Sequence, residues 1–117
     1  MLYHPFMTQA LYLLFALIAA HFLCDYPLQG DFLARAKNHR EPIPHVPWYQ
    51  AMTAHATIHA AAVYLILGIW WLAALEFVAH FAIDRMKCSG ELTFNQDQLL
   101  HLVCKVAWIG LALYVGG

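Results

Sequence analysis

The stretch EFVAHFAIDRMK, residues 76–87, decides which fold the chain is expected to adopt. Glu76, His80 and Asp84 lie four residues apart, so on a helix they stack along one face. Most of the residues between them are apolar, so two acids and an imidazole lie within a hydrophobic segment. Because a buried charge is costly unless it is paired, we expect this face to meet polar groups from other helices.

Three further pairs of polar residues repeat the same four-residue spacing. Together with His80 and Asp84 they contain five of the eight histidines and three of the four aspartates. Imidazole and carboxylate ligands in combination suit zinc, iron or manganese. We therefore predict that the four pairs converge into one divalent-metal site. The predicted ligands are His21, Asp25, His55, His59, His80, Asp84, Asp97 and His101.

The composition indicates an integral membrane protein. Of the 117 residues, 62% are hydrophobic and 11% are charged, about half the charged fraction of an average soluble domain. The formal net charge of −1 offers no basic surface for nucleic acid, so no nucleic-acid partner is predicted. The lipid bilayer is the expected partner.

The apolar segments predict an all-α fold, a four-span antiparallel transmembrane helix bundle in a single domain, residues 1–117. Residues 51–83 are almost unbroken apolar sequence, and as one helix they would be about 50 Å long against a membrane core of about 30 Å. We therefore expect a hairpin that bends at Gly68, with a short second arm. Asn95 is the expected N-cap of the last span. The predicted spans are 6–24, 51–69, 70–85 and 97–115, and the predicted loops are 25–50 and 86–96.

The basic residues predict the orientation. Five of the six lie in the two loops or at their edges, and four spans place both loops on one side of the membrane. The positive-inside rule assigns that side to the cytoplasm of a bacterial inner membrane, with both termini on the opposite side. All four polar pairs then fall at the cytoplasmic end of the bundle, where helices can build a shared metal site. Eight ligands exceed the needs of one tetrahedral zinc, so one to three ions are expected.

Further polar residues are candidates for catalysis and substrate binding. Glu76 is one turn deeper than His80 and is expected to be a ligand, a partner that orients His80, or a general base. Asp31 is the other candidate base. Arg85 and Lys87 follow Asp84 closely and are candidates for binding phosphate, and Gln29 is a candidate for contacting substrate.

Four segments carry a resemblance to known proteins: HFLCDYPLQ at 21–29, HATIH at 55–59, HFAIDRMK at 80–87 and DQLLH at 97–101. They resemble an uncharacterised family of small four-span membrane proteins of bacteria and phages. More distantly, they are similar to the LexA-regulated membrane-bound metal-dependent hydrolases. The resemblance implies metal-dependent phosphoester hydrolysis on the eight predicted ligands. The more distant family is grouped by sequence with the soluble zinc-dependent phospholipase C and nucleases of the P1 type. Those enzymes also use an N-terminal amine as a ligand, which this chain would not supply because its N-terminus is expected on the opposite side of the membrane.

The predicted function is thus a membrane-embedded metal-dependent hydrolase that acts on a phosphoester, such as a lipid head group, at the cytoplasmic interface. Alternatives are a metal-ion or proton transporter or channel, a haem protein, and a non-catalytic metal-binding subunit or phage-encoded exclusion factor. In a metal-free alternative the pairs are polar contacts between helices. A homo-oligomer would help to bury the site, although no motif demands one.

Overall fold

The computed structural model describes residues 5–116 and forms five α-helices in that range, with no β-strand. The all-α prediction is therefore confirmed. The shortest helix lies within the predicted loop 25–50. The helices are α1 (Pro5–Asp25), α2 (Gly30–Ala36), α3 (Trp48–Leu67), α4 (Trp70–Cys88) and α5 (Phe94–Gly116).

The four long helices form a ring in which α1 packs against α3, α3 against α4, α4 against α5 and α5 against α1. The last residue of α1 reaches the first half of α3, where Asp25 Oδ1 lies 3.2 Å from His55 Nε2. The end of α4 likewise meets the start of α5, where Asp84 Oδ1 lies 2.9 Å from His101 Nε2. Each long helix therefore runs antiparallel to both of its neighbours, and α2 packs against α3.

The hairpin bends at the predicted glycine. Gly68 has φ +71° and caps α3 in the left-handed conformation, which a residue with a side chain adopts only at a cost. The expectation of a short second arm is wrong, because α4 has 19 residues and is about 28 Å long. The helix continues past Arg85 through its basic last turn and ends at the Ser89–Gly90 turn, where Gly90 has φ +82°.

The N-terminal cap of α5 is Thr93 rather than Asn95. Thr93 Oγ1 accepts a hydrogen bond from the Gln96 backbone N–H at 3.1 Å, and Gln96 Oε1 accepts one from the Thr93 N–H at 2.9 Å. This reciprocal pair is a capping box, which satisfies two backbone donors that the first turn of a helix leaves without partners. The helix consequently begins three residues before the predicted position.

Polar and apolar side chains separate along the bundle axis. The apolar core lies at one end and centres on Leu17, Val63, Leu72, Trp108 and Ile109. At the other end the interior is filled by histidine and acidic side chains.

Two helices, Pro5–Asp25 and Phe94–Gly116, are long and apolar enough to cross a membrane. The helices α3 and α4 have comparable lengths of 20 and 19 residues, but α4 carries Glu76, Asp84 and two basic residues, and α3 carries two histidines. Four of these polar side chains, those of His55, His59, Glu76 and Asp84, are buried inside the bundle. The polar content that lowers the overall hydropathy of these two helices thus lies largely on their interior faces.

Candidate metal centre

The fold brings all eight predicted ligands together at one end of the bundle. Each of the four long helices contributes one pair, because residues four apart share a helical face. Seven of the eight are buried, and Asp25 is partly exposed. The five imidazole rings are packed against one another, with His59 and His80 stacked at 3.7 Å between ring centroids and His80 and His101 at 4.1 Å.

Four residues, Asp25, His55, His59 and His80, form a first group of atoms close enough to share one metal ion. Asp25 Oδ1 lies 2.8 Å from His59 Nε2, 3.2 Å from His55 Nε2 and 3.9 Å from His80 Nε2. The Nε2 atoms of His55 and His80 are 3.2 Å apart. We call these four residues the inner group.

The spacing within the inner group fits a tetrahedral ion. With metal–ligand bonds of about 2.0–2.1 Å, two ligand atoms of a tetrahedral zinc lie about 3.3 Å apart. The four measured separations, from 2.8 to 3.9 Å, bracket that value. Three imidazoles and one carboxylate are also a ligand set that zinc accepts. The inner group can therefore hold a metal ion.

A second group of possible ligands consists of His80, Asp84 and His101. Asp84 Oδ1 lies 2.9 Å from His101 Nε2, and Asp84 Oδ2 lies 3.5 Å from His80 Nε2. Asp97 Oδ1 is 3.4 Å from His101 Nε2, is buried and has no hydrogen-bond donor, which is the environment expected of an oxygen that faces a cation. Because a single Nε2 of His80 serves one ion only, Asp84 and His101 remain for a second ion, and Asp97 lies beside them through its contact with His101. We call Asp84, Asp97 and His101 the outer group.

His21 and Gln98 connect the two groups. His21 Nε2 lies 3.3 Å from Asp25 Oδ2 and 3.1 Å from Gln98 Oε1. The Gln98 amide donates to Asp25 Oδ2 at 3.0 Å and to Asp97 Oδ2 at 3.1 Å. Gln98 thus orients one carboxylate of each group, a role typical of the residues that surround metal ligands.

Glu76 lies deeper and serves as a partner of His80 rather than as an exposed acid. Its Oε1 accepts hydrogen bonds from His80 Nδ1 at 3.2 Å and from Lys105 Nζ at 2.6 Å, and its Oε2 accepts one from Trp108 Nε1 at 2.7 Å. Donation from Nδ1 leaves His80 Nε2 unprotonated and turned toward the inner group. Both oxygens of Glu76 are engaged and the residue is buried, so the geometry favours the orienting role over that of a general base.

The charges at this end of the bundle leave room for a cation. Within the described part of the chain, four buried or half-buried carboxylates face this cluster and two lysines pair with them. Metal binding requires neutral histidines, and if all five are neutral two negative charges remain uncompensated, which equals the charge of one divalent ion. The carboxylates are Asp25, Asp84, Asp97 and Glu76, and the lysines are Lys37, paired with Asp84, and Lys105, paired with Glu76.

A cavity of about 260 Å³ opens where the cluster meets the end of the bundle. Asp25, Asp84 and Asp97 form part of its wall, so the candidate metal ligands are accessible from it. Three of the residues predicted for catalysis or substrate binding also line it. They are Lys87, Asp31 in the first turn of α2, and Gln29, whose Nε2 donates to the Asp25 carbonyl at 3.0 Å.

The two predicted phosphate-binding residues lie on different sides of α4. Lys87 lines the cavity, but Arg85 does not. The Arg85 guanidinium instead lies 5.6 Å from the centre of the Trp48 ring. Residues two apart on a helix differ by about 200° in direction, so Arg85 and Lys87 point to nearly opposite sides of α4.

One residue of the cavity was not anticipated from the sequence. Lys37, at the end of α2, donates from Nζ to Asp84 Oδ2 at 2.6 Å and lines the cavity. No spacing rule connects Lys37 with residue 84, which is 47 positions away. The one available signal is that Lys37 lies one residue beyond α2, the short helix that follows α1.

Comparison with known proteins gives a family but no activity. No curated protein and no solved structure matches the chain. The model of one protein family matches residues 13–115, which includes all eight candidate ligands and the whole cavity. The chain therefore belongs to DUF3307, a family of proteins of unknown function.

Proposed function

We propose that the protein is a membrane-embedded, metal-dependent hydrolase that cleaves a phosphoester at the cytoplasmic face of the membrane. The observation that carries the proposal is the position of the outer group. Asp84 and Asp97 belong both to the candidate metal centre and to the wall of an open cavity that also contains Lys87. The cavity wall contains four aspartates and two lysines, so a divalent ion bound to the aspartates would make the site suitable for an anionic substrate.

The membrane placement of all four long helices is supported by their outward faces. Each exposes large apolar side chains, which would be unfavourable over such an area in water. The helices are about 28–34 Å long, which suits a hydrocarbon core of about 30 Å. In this arrangement the two basic loops are cytoplasmic. One such residue on each helix, with its exposed fraction, is Phe15 (75%), Leu65 (82%), Val78 (64%) and Val106 (57%).

Zinc is the ion that we propose for the site, with one or two ions bound. The inner group supplies four ligands and resembles a closed structural site. The outer group supplies three ligands, which matches zinc sites that keep one position open for chemistry. A divalent ion held there supplies Lewis-acid polarisation of a phosphoryl oxygen and activation of water at neutral pH.

The protein's own residues then bind and orient the substrate. The Lys87 ammonium on the cavity wall attracts the phosphoryl group, and Gln29 is placed to contact the rest of the head group. Of the two candidate bases we favour Asp31, because it lines the cavity whereas both Glu76 oxygens are hydrogen-bonded elsewhere. Asp31 would accept the proton released by the attacking water.

Transport of metal ions or protons is less well supported. A transport path requires polar groups on both halves of the bundle. The end opposite the cluster is packed with apolar side chains around Leu17, Val63 and Ile109. The deepest charged groups of the described chain, Glu76 and Lys105, are bound to each other.

The experiment that tests the proposal is phosphate release by zinc-loaded protein purified in maltoside micelles. The substrates are a water-soluble phosphomonoester, a phosphodiester and phosphatidic acid. We expect turnover that a chelator abolishes and that Asp84→Asn lowers at least a hundredfold, whereas Arg85→Met leaves it within twofold. Metal-loaded protein that cleaves none of these substrates would contradict the proposed reaction, and metal-independent turnover would contradict the proposed site.

A further inference from the structure

The cavity contains a second cation whose position differs from that of Lys87. Lys37 reaches the cavity from the end of α2, and its side chain is 11% exposed, whereas Lys87 comes from α4 and is exposed. The two ammonium groups therefore enter one cavity from different elements. Lys37 Nζ has one ion-pair partner, Asp84 Oδ2, which is itself a residue of the outer group.

A lysine has three N–H donors, and one hydrogen bond to Asp84 leaves two for other acceptors. Because Lys37 both contacts a candidate metal ligand and lines the cavity, any anion seated against the outer group lies beside its ammonium. Phosphoryl groups present several anionic oxygens and can accept from an ammonium while they face a metal ion.

The remaining wall of the cavity contains Asp31 and the aspartates of the metal cluster, whose charge a bound divalent ion would offset, and it also supplies neutral polar and apolar contacts. Gln29 Oε1 is buried and has no hydrogen-bond donor, so it can accept a bond from a hydroxyl or a protonated phosphoryl oxygen. Tyr26 and Phe94 line the same cavity and are each 53% exposed. Aromatic side chains of this kind suit the interface between head groups and acyl chains.

We propose that Lys37 is a substrate-binding residue and that the cavity is a phosphoryl-anion site, with Lys37 bridging Asp84 and the bound phosphoryl group. This inference deepens the proposed function and rests on it for the chemistry of the ligand. The principal phosphate contact is then Lys37, in the first predicted cytoplasmic loop, rather than Lys87, in the basic last turn of α4.

The test is binding of inorganic phosphate to zinc-loaded protein in maltoside micelles, followed by calorimetry or phosphorus NMR. We expect Lys37→Met to weaken phosphate binding at least about tenfold, the value of one charge-assisted hydrogen bond, with unchanged zinc content. The matched control is Arg85→Met, which removes a basic side chain outside the cavity and should alter the affinity less than twofold. Equal affinity in Lys37→Met and the wild type would overturn the inference, as would an equal loss in both variants.

A measurement on the wild-type protein covers the case in which Lys37→Met fails to fold or loses zinc. Acetylation of lysines, quantified by mass spectrometry, should slow severalfold at Lys37 when phosphate is present. Absence of protection at Lys37 at saturating phosphate would overturn the inference.

Competition distinguishes the two sources of the phosphoryl group. Stronger displacement of phosphate by phosphatidic acid than by glycerol 3-phosphate would identify a lipid head group, and equal displacement would identify a free phosphoester. Either ranking supports the anion site, whereas a failure of both compounds to displace phosphate contradicts it.

Phosphate binding requires no turnover. Lys37-dependent binding without hydrolysis would therefore refute the proposed reaction alone, and hydrolysis with unchanged KM in Lys37→Met would refute this inference alone.

Discussion

The buried ion pair between Glu76 and Lys105 makes separable predictions for stability and for metal binding. The perturbation is Lys105→Met, which keeps the length of the side chain and removes its charge. Lys105 Nζ lies 2.6 Å from Glu76 Oε1, and both residues are at most 2% exposed. The substitution leaves the Glu76 carboxylate buried, with Trp108 and His80 as its remaining donors.

The expected loss of stability in Lys105→Met follows from the burial of this ion pair. Breaking a buried ion pair by removal of one partner typically costs about 3–5 kcal/mol, because the other charge remains without compensation. Replacing both partners removes that penalty, so the double variant Glu76→Gln/Lys105→Met should be more stable than Lys105→Met alone. The control Lys87→Met removes an exposed lysine and should change stability by less than about 0.5 kcal/mol.

Metal affinity should respond differently from stability. Glu76→Gln replaces the carboxylate that accepts from His80 Nδ1 by a neutral amide, a weaker acceptor, and mutation of such a partner typically weakens metal binding about 10–100-fold. Lys105→Met retains that acceptor and removes a nearby positive charge, so zinc affinity should be unchanged or higher.

The assay is reversible unfolding in mixed maltoside and dodecyl sulfate micelles, monitored by circular dichroism, together with zinc titration against a chelating dye. A loss of stability in Lys105→Met no larger than that in Lys87→Met would contradict the buried ion pair, as would a double variant whose loss equals the sum of the two single losses. Zinc binding by Glu76→Gln as tight as that of the wild type would contradict the role of Glu76 in orienting His80.

Three further predictions concern the turns and the bound metal. Thr93→Ala should destabilise the protein by about 1 kcal/mol in the same unfolding assay, because it removes the side-chain acceptor at the start of α5, and an unchanged midpoint would contradict the cap. Gly68→Ala should cost about 1–2 kcal/mol for the left-handed backbone alone, since no atom lies within 4 Å of the added methyl group; a neutral effect would contradict the bend. Zinc at a thousandfold excess over its dissociation constant should stabilise the wild type by about 4 kcal/mol, and His59→Ala should lose most of that gain; equal stabilisation of both proteins would contradict the inner group.

The sequence predicts which residues converge because the relevant rule is local. A four-residue spacing fixes one face of a helix regardless of tertiary structure, so the four polar pairs could be assigned to interior faces. The placement of Gly68 at the bend was also predictable, because its backbone freedom and the length of the apolar segment are properties of the sequence.

The contacts that depend on relative helix position could not be predicted. Lys37 reaches Asp84 only because α2 folds back over the end of the bundle, and no periodicity encodes that path. The pairing of Lys105 with Glu76 likewise requires the axial register between α4 and α5.

Two differences have simpler causes. The sequence makes Arg85 and Lys87 equal candidates for binding phosphate, but their helical phase separates them, and of the two only Lys87 lines the cavity. The predicted cap of α5, Asn95, is wrong, because Thr93 and Gln96 form the reciprocal capping pair that starts the helix earlier.

The most direct test of the central claim is elemental analysis of protein purified without added chelator, beside His55→Ala and Asp84→Ala. His55 belongs to the inner group and Asp84 to the outer group, so each variant removes a ligand from a different half of the cluster. We expect at least one equivalent of a divalent metal in the wild type and a clear loss in both folded variants. A wild-type protein that remains folded without metal and takes up none from zinc-containing buffer would contradict the central claim.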